Sequence, residues 1–434
     1  MQYRFKNARI LTMEEGRQIF KGEVWVSDDK ISFVGTDSEA EQRLSEISCS
    51  WDREIDCAGD LIMPGFKDAH THSAMTLMRS RADDLPLDEW LNKQIFPVEA
   101  HMTGEDCYHL TRLAVLEYLT SGITAIFEMY LTPETIAAAC RDTGMRCVQT
   151  GCYNSFMQSA ELVEDMYNKL NSPEDPLNTY ILGFHAEYTS SPEVIDKMAA
   201  LAHKYQAPVY THLAETAAET KGCVERYGMS PVKYLSSRGI FDYGGGGYHM
   251  VHVSEDDMEI IKEKGLYVVT NPGSNSKLAS GIAPISDYMK HDIPVAIGTD
   301  GPASNNALDM FREMFLVTAL GKLREEDASA IDAMEVLKMA TVNGARSMGL
   351  EDCDCLAEGK QADMIRIDLH QPNMQPINNI AKNIVYSGSK QNVKMTMIRG
   401  VIRYEDGVFN IGDDPENIYR QAELIKERID KTLV

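Results

Sequence analysis

Apolar and polar positions alternate in short runs near both ends of the chain and follow a longer, two-part rhythm between them. Segments 3–12 and 23–35 are rich in aromatic and β-branched residues, with Ser27-Asp28-Asp29-Lys30 supplying a turn. Segments 361–368 and 393–404 have the same short, alternating character. Two β-rich ends around a long middle predict one small β-sandwich built from both termini. The chain then closes on Asp414-Pro415-Glu416, an N-cap followed by Pro at the first helical position, which predicts a charged terminal helix.

In the middle, short apolar runs alternate with helix-length amphipathic segments. Strands are predicted at 122–129, 146–150, 180–185, 208–212, 248–252, 267–271 and 295–299, and Leu61–Phe66 makes an eighth. Thr132-Pro133, Ser191-Pro192 and Ser230-Pro231 each place a capping hydroxyl before a Pro, and Ser254 opens a segment ending at Gly265. Eight strands, each followed by a helix or long loop, predict a (β/α)8 barrel of the α/β class, with a doubly wound sheet as the lesser option. No Gly-x-Gly-x-x-Gly follows an early strand, which disfavours that option. Residues 1–59 are assigned to the first part of the sandwich, 60–354 to the catalytic barrel, and 355–434 to the rest of the sandwich plus the terminal helix. The run Gly244–Gly247 reads as a flexible loop before a strand.

Composition narrows the function. The 434 residues are 44% hydrophobic and 25% charged, as in a globular enzyme. Lys+Arg 42 against Asp+Glu 66 gives a net charge of −24, which repels nucleic acid and anionic membranes. No apolar stretch is long enough to span a bilayer, and the first residues lack the apolar core of a signal sequence. Nine cysteines scattered without a framework suit reduced thiols in a cytoplasm, and Cys353 and Cys355 read as ordinary loop cysteines.

Polar residues at the C-terminal ends of barrel strands are the catalytic candidates, because that face carries the βα loops. The first strand ends in Asp68-Ala69-His70-Thr71-His72, and an extended chain points residues i and i+2 to one side. The fifth ends in Thr211-His212-Leu213-Ala214-Glu215, the sixth in His249-Met250-Val251-His252 and the eighth in Gly298-Thr299-Asp300. Any one of these could be an ordinary polar loop. Three imidazoles and one carboxylate on one barrel face form a donor set suited to Zn2+ or Fe2+ with a position left for water. His101, His109, His203, His291 and His370 lie outside these stretches and read as surface or structural.

The stretches Pro64-Gly65-Phe66-Lys67-Asp68-Ala69-His70-Thr71-His72, His212-Leu213-Ala214-Glu215 and Gly298-Thr299-Asp300-Gly301 resemble the motifs of the metal-dependent amidohydrolase superfamily. Within it the chain looks most like the 5-methylthioadenosine/S-adenosylhomocysteine deaminases. Leu87-Asp88-Glu89-Trp90-Leu91, Pro97-Val98-Glu99-Ala100, the run Ser274–Pro284 and Ala303-Ser304-Asn305-Asn306 add to the likeness, which covers nearly the whole chain. The resemblance implies one catalytic divalent metal, most simply zinc, held by His70, His72, His212 and Asp300. Binuclear relatives carry a bridging Lys near the end of strand four. Here that end reads Gly183-Phe184-His185-Ala186-Glu187, so a single ion is expected.

The resemblance further implies deamination of an adenosine-type nucleoside, with Glu215 as proton donor, Asp300 as general base and His252 bonding the attacking oxygen. Glu99 is expected to take the ribose hydroxyls, His185 to face the purine or ribose, and Trp90 to wall the pocket. Relatives are often dimers or tetramers. Two departures stand out. No Arg lies between Arg146 and Arg226, so nothing after strand three matches the cation expected to hold the carboxylate of S-adenosylhomocysteine. Glu187 stands where relatives often have Pro, and an extra carboxylate beside His185 could alter the substrate. The competing readings are deamination of a free base or pterin, a triazine hydrolase, and a non-catalytic protein on the same frame, which would have no use for the intact ligand set.

Overall fold

The computed structural model describes residues 1–46, 50–85 and 89–433; Leu87 and Asp88 of the stretch quoted above lie outside them. Five strands open the chain: β1 (Gln2–Ile10), β2 (Phe20–Ser27), β3 (Lys30–Thr36), β4 (Arg53–Asp56) and β5 (Leu61–Pro64). Eight parallel strands follow: β6 (Phe66–Thr71), β7 (Ile123–Met129), β8 (Arg146–Thr150), β9 (Asn178–Ala186), β10 (Val209–Leu213), β11 (Gly245–His249), β12 (Tyr267–Thr270) and β13 (Val295–Ile297). Each pairs with the next, and the backbone N–H of Asp300 bonds His70 O at 2.9 Å across the seam between the last and the first. This is the expected barrel. Asp68 strengthens the seam, accepting from Thr299 N (2.8 Å) and Thr299 Oγ1 (2.6 Å).

The chain ends with β14 (Met364–Ile367), β15 (Val393–Ile398), β16 (Val401–Glu405) and β17 (Val408–Phe409), which join β1–β5 in one nine-stranded sheet. Its two halves bury a common core that includes Phe5, Val24, Ile62, Met364 and Met395. The expected assembly from both termini therefore holds, with one adjustment. Leu61–Pro64 pairs with β1 and β14 rather than with a barrel strand, so the outer sheet extends beyond residue 59 and the barrel begins at Phe66. Arg146 ties the two parts together, donating through Nε and Nη2 to Asp363 at 2.8 and 3.0 Å.

Of the expected capping hydroxyls Thr132 makes no cap bond, its Oγ1 accepting from Thr135 Oγ1 at 2.7 Å instead, and the others act as expected. Ser191 and Ser230 accept from Val194 N and Lys233 N, and Ser254 forms a capping box with Asp257. Helix Pro415–Thr432 buries Ile418, Ile425 and Ile429 in the same core as the barrel helices. Its ion pairs also reach the barrel side, Arg428 to Asp106 and Arg81 to Asp430.

The glycine run differs from expectation. Gly245–Gly247 are not a flexible loop but the first three residues of β11. A Cβ on Gly245 would meet Val209 O at 2.0 Å, and one on Gly246 would meet the Tyr210 ring at 2.5 Å. The barrel interior holds Phe127, Tyr210 and Tyr248 stacked edge and face, so the neighbouring strand must be bare. Gly245 also sits at φ 122, where side chains are disfavoured. Gly245→Ala is expected to lower stability by about 3 kcal/mol, read as a reduced denaturant midpoint.

Candidate active site

The C-terminal ends of the barrel strands converge on one cleft. At its floor His70, at the end of β6, and His72, just beyond it, point inward together as the i, i+2 spacing requires. His72 Nε2 lies 3.2 Å from Asp300 Oδ1 and His70 Nε2 lies 3.7 Å from the same oxygen. His212 near the end of β10 completes a group with His70 and His72 whose ligand atoms all fall within 4.8 Å of one another. Their outer nitrogens are held by carbonyls: His72 Nδ1 by Met129 O (2.5 Å) and His212 Nδ1 by His185 O (2.7 Å). That fixes which nitrogen faces the cleft.

Two observations test whether this set suits a cation. Both ring nitrogens of fully buried His70 lack any hydrogen-bond partner, a costly state unless a ligand accepts the lone pair. Burial also pushes His70 and His212 well below the ordinary imidazole range, which leaves them in the neutral, metal-ligating form. Burial works against charge on Asp300 and His72 too, but their mutual contact overrides it. Asp300 is held well below the usual carboxylate range and His72 is raised to about 9. A divalent cation can replace the proton this pair shares, so the residues present fit a metal. Gly301 N (2.8 Å) and Ser304 Oγ (3.0 Å) fix the Asp300 carboxylate.

Glu215 stands two residues past β10, buried in the cleft, and burial raises its carboxyl above the usual range despite nearby His249. Ser280 Oγ donates to its Oε1 at 3.3 Å. His249, not His252, joins this group. His249 Nε2 lies 3.9 Å from both Glu215 Oε2 and Asp300 Oδ2, while its Nδ1 donates to Asn275 Oδ1 at 2.7 Å. His252 Nε2 instead bonds Ser280 O at 2.7 Å, and the residue does not line the cleft. The reason is backbone: β11 ends at His249, and φ values of 73 and 45 at His249 and Met250 swing the chain away. The strand thus begins within the glycine run, three residues before the expected 248–252. The rule that strand ends carry the chemistry would have selected His249 had the strand been placed at 245–249.

The cleft walls hold the remaining candidates. Glu99, at the end of helix Phe96–Glu99, is buried, and its carboxyl is pushed up to about 7 by that burial although Tyr130 donates to it. His185 near the end of β9 is pushed down to about 4 by burial. Thr189 Oγ1 donates to Ala186 O and accepts from His185 Nδ1, which leaves Nε2 as an acceptor. Trp90 lines the cleft with Ile95, Phe96 and Leu131. Glu187 does not reach it. That carboxylate is buried and takes two bonds, 3.0 and 2.7 Å, from Arg226, so the extra charge beside His185 is already neutralised. No Lys or Arg is among the described residues lining the cleft.

The amidohydrolase family model matches residues 61–403, the span that carries every one of these side chains. The chain belongs to the amidohydrolase family. This amidohydrolase is 38% identical over 424 residues to the 5-methylthioadenosine/S-adenosylhomocysteine deaminase of Desulforamulus reducens, covering 96% of this chain and 97% of the relative. It is 36% identical over 432 residues to the 5'-deoxyadenosine deaminase of Methanobrevibacter smithii, covering 98% and 97%. Among solved structures, an adenosine deaminase from Xanthomonas campestris with bound zinc superimposes with a TM-score of 0.91 at 30% identity, covering 99% of this chain and 98% of that one. The likeness to these enzymes extends through the outer sheet, so the whole amidohydrolase architecture is shared. No described helix is long and apolar enough to cross a membrane.

Proposed function

We propose that the protein is a metal-dependent hydrolytic deaminase of adenosine-type nucleosides, converting the 6-amino purine to the inosine-type product and ammonia. One observation carries this reading: three imidazoles, Asp300 and a buried Glu215 meet at the floor of a cleft whose wall bears Glu99. The nearly full-length likeness to deaminases of such nucleosides supports it. His70, His72, His212 and Asp300 would hold one ion, zinc first and ferrous iron second. When bound, such an ion makes hydroxide available at neutral pH and polarises the reacting centre.

The chain's own groups do the rest. Asp300 takes a proton from the attacking water. Glu215, whose carboxyl burial raises above the usual range, gives a proton to the ring nitrogen beside C6, so the carbon accepts the new C–O bond. Asp300 then passes the proton it took from water to the exocyclic nitrogen, the C–N bond breaks and ammonia leaves, and the proton of the new C6 hydroxyl returns to Glu215. His249 rather than His252 is placed to bond the attacking oxygen. Glu99 accepts from the two ribose hydroxyls, His185 Nε2 accepts from the substrate, and Trp90 closes the apolar wall. The described cysteines are all free thiols, which supports a cytoplasmic setting, and a dimer or tetramer is the assembly proposed from the family likeness.

The absence of Lys and Arg from the described lining favours nucleosides whose 5′ end carries no carboxylate. Metal-loaded protein is expected to deaminate adenosine, 5′-deoxyadenosine and methylthioadenosine, followed by loss of the adenine chromophore and ammonia release. S-adenosylhomocysteine should show a kcat/KM lower by about tenfold or more, the cost of an unpaired charge. Efficiency equal to that of methylthioadenosine would overturn the 5′ preference. Glu99→Ala should lower kcat/KM on nucleosides by at least about tenfold. No turnover of any of the four, with activity on guanine, cytosine, a pterin or a triazine, would replace the nucleoside reading.

A further inference from the structure

Glu219 does not line the cleft, yet its carboxylate grips the turn that carries Glu215. Its Oε1 accepts from Ala214 N at 2.8 Å and its Oε2 from Glu215 N at 2.7 Å. These are two adjacent backbone donors at a strand end, where the barrel ladder no longer supplies partners. Ala214 sits at φ 51, a left-handed conformation that a residue with a Cβ holds only when its surroundings fix it. The surroundings do so from two sides. Ala214 O accepts from Val251 N and His252 N at 3.0 and 2.9 Å, and Glu219 holds the N–H side. Glu219 is itself anchored in the first turn of helix Ala217–Tyr227, where its backbone N–H is capped by Thr216 Oγ1 at 3.1 Å.

We propose that Glu219 is a positioning residue for the deamination: by accepting from both N–H groups it locks the turn in which Glu215 faces the reacting centre. The proposal rests on the reading of Glu215 as proton donor. A carboxylate suits the task because each of its oxygens can accept, whereas the glutamine amide offers one acceptor oxygen and turns an NH2 towards the other N–H. The two bonds are short and buried, so they define one backbone geometry rather than several. The reacting atoms of a proton transfer must lie within hydrogen-bond reach, and a misplacement of about 1 Å can cost on the order of 100-fold.

The test is a double-mutant cycle on the metal-loaded, full-length protein with methylthioadenosine in single-turnover measurements. Glu219→Gln is expected to lower kcat by about tenfold or more, with KM within about twofold and metal content unchanged. In a Glu215→Gln background the same change should alter the residual rate by less than about twofold, because the group it positions is gone. An equal factor in both backgrounds, or an unchanged kcat in the otherwise wild-type protein, would overturn the role of Glu219. Glu219→Asp, which keeps the charge but shortens the reach, should give the same non-additivity and serves if the glutamine variant does not fold. Wild-type turnover by Glu215→Gln alone would sink the proton-donor reading instead, so the two failures are distinct.

Discussion

Asp300→Asn is expected to abolish both metal binding and turnover while leaving the fold intact. Asp300 is the only anion in the proposed ligand set, whose other members are the imidazoles His70, His72 and His212. Asparagine has nearly the same shape and can still bond Gly301 N and Ser304, so the seam around it should hold. It cannot offset the cation's charge, nor can it take a proton from water. Loss of a metal and a base together should lower kcat on the order of 10³–10⁴-fold. Elemental analysis should show about one ion per chain in the wild type, the count a single mononuclear site allows, and little in the variant. Chelation of the wild type should reproduce the loss, and added Zn2+ should restore it. The ion should also stabilise the fold, by about 3 kcal/mol at a free concentration 100 times its Kd. A variant that keeps its metal and turns over within about tenfold of wild type would show that the ligand set is wrong.

Glu215→Gln tests the chemistry with the metal in place. The glutamine fits the same buried position and can accept from Ser280, but it has no proton to give. The expected loss in kcat is about 10²–10⁴-fold, the range for a general acid, with metal content and affinity for an inosine-type product preserved. Glu215 is buried against His249 and Asp300, and that burial raises its carboxyl above the usual carboxylate range. Because the side chain is not one of the proposed ligands, the result separates proton transfer from metal binding. A residual kcat within tenfold of wild type would move the proton donor elsewhere, with His249 the next group in reach.

Where local pattern and tertiary structure differ in this molecule, the cause is packing against residues distant in the chain. Gly244–Gly247 carry no side chains and have the local character of loop, which places the expected strand at 248–252 with His252 at its end. The tertiary structure puts three of those glycines in β11, where the Val209 backbone, the Tyr210 ring and Leu213 leave no room for a Cβ. Leu61–Pro64 has the apolar character of a barrel strand, yet it pairs in the outer sheet because its partners are β1 and β14, distant segments that local pattern cannot name. Glu187 looked like a charge facing substrate. It is spent on Arg226, 39 residues away. In each case the pattern showed what kind of residue was present, and packing against remote residues chose its direction.

By itself the sequence determined the alternation of strands and helices, the helix caps at Ser191, Ser230, Ser254 and Asp414, and the candidate site residues His70, His72, His212, Asp300 and Glu215. Those features rest on covalent spacing: an i, i+2 pair on a strand shares a side wherever that strand lies, and a hydroxyl before a helix caps it locally. Only the tertiary structure decided that His249 belongs with them, that Glu219 holds the turn of Glu215, and that the described cleft lining carries no cation. These depend on contacts such as that of Asp68 with Thr299, 231 residues apart, where the closing of the barrel brings distant strand ends within hydrogen-bond distance.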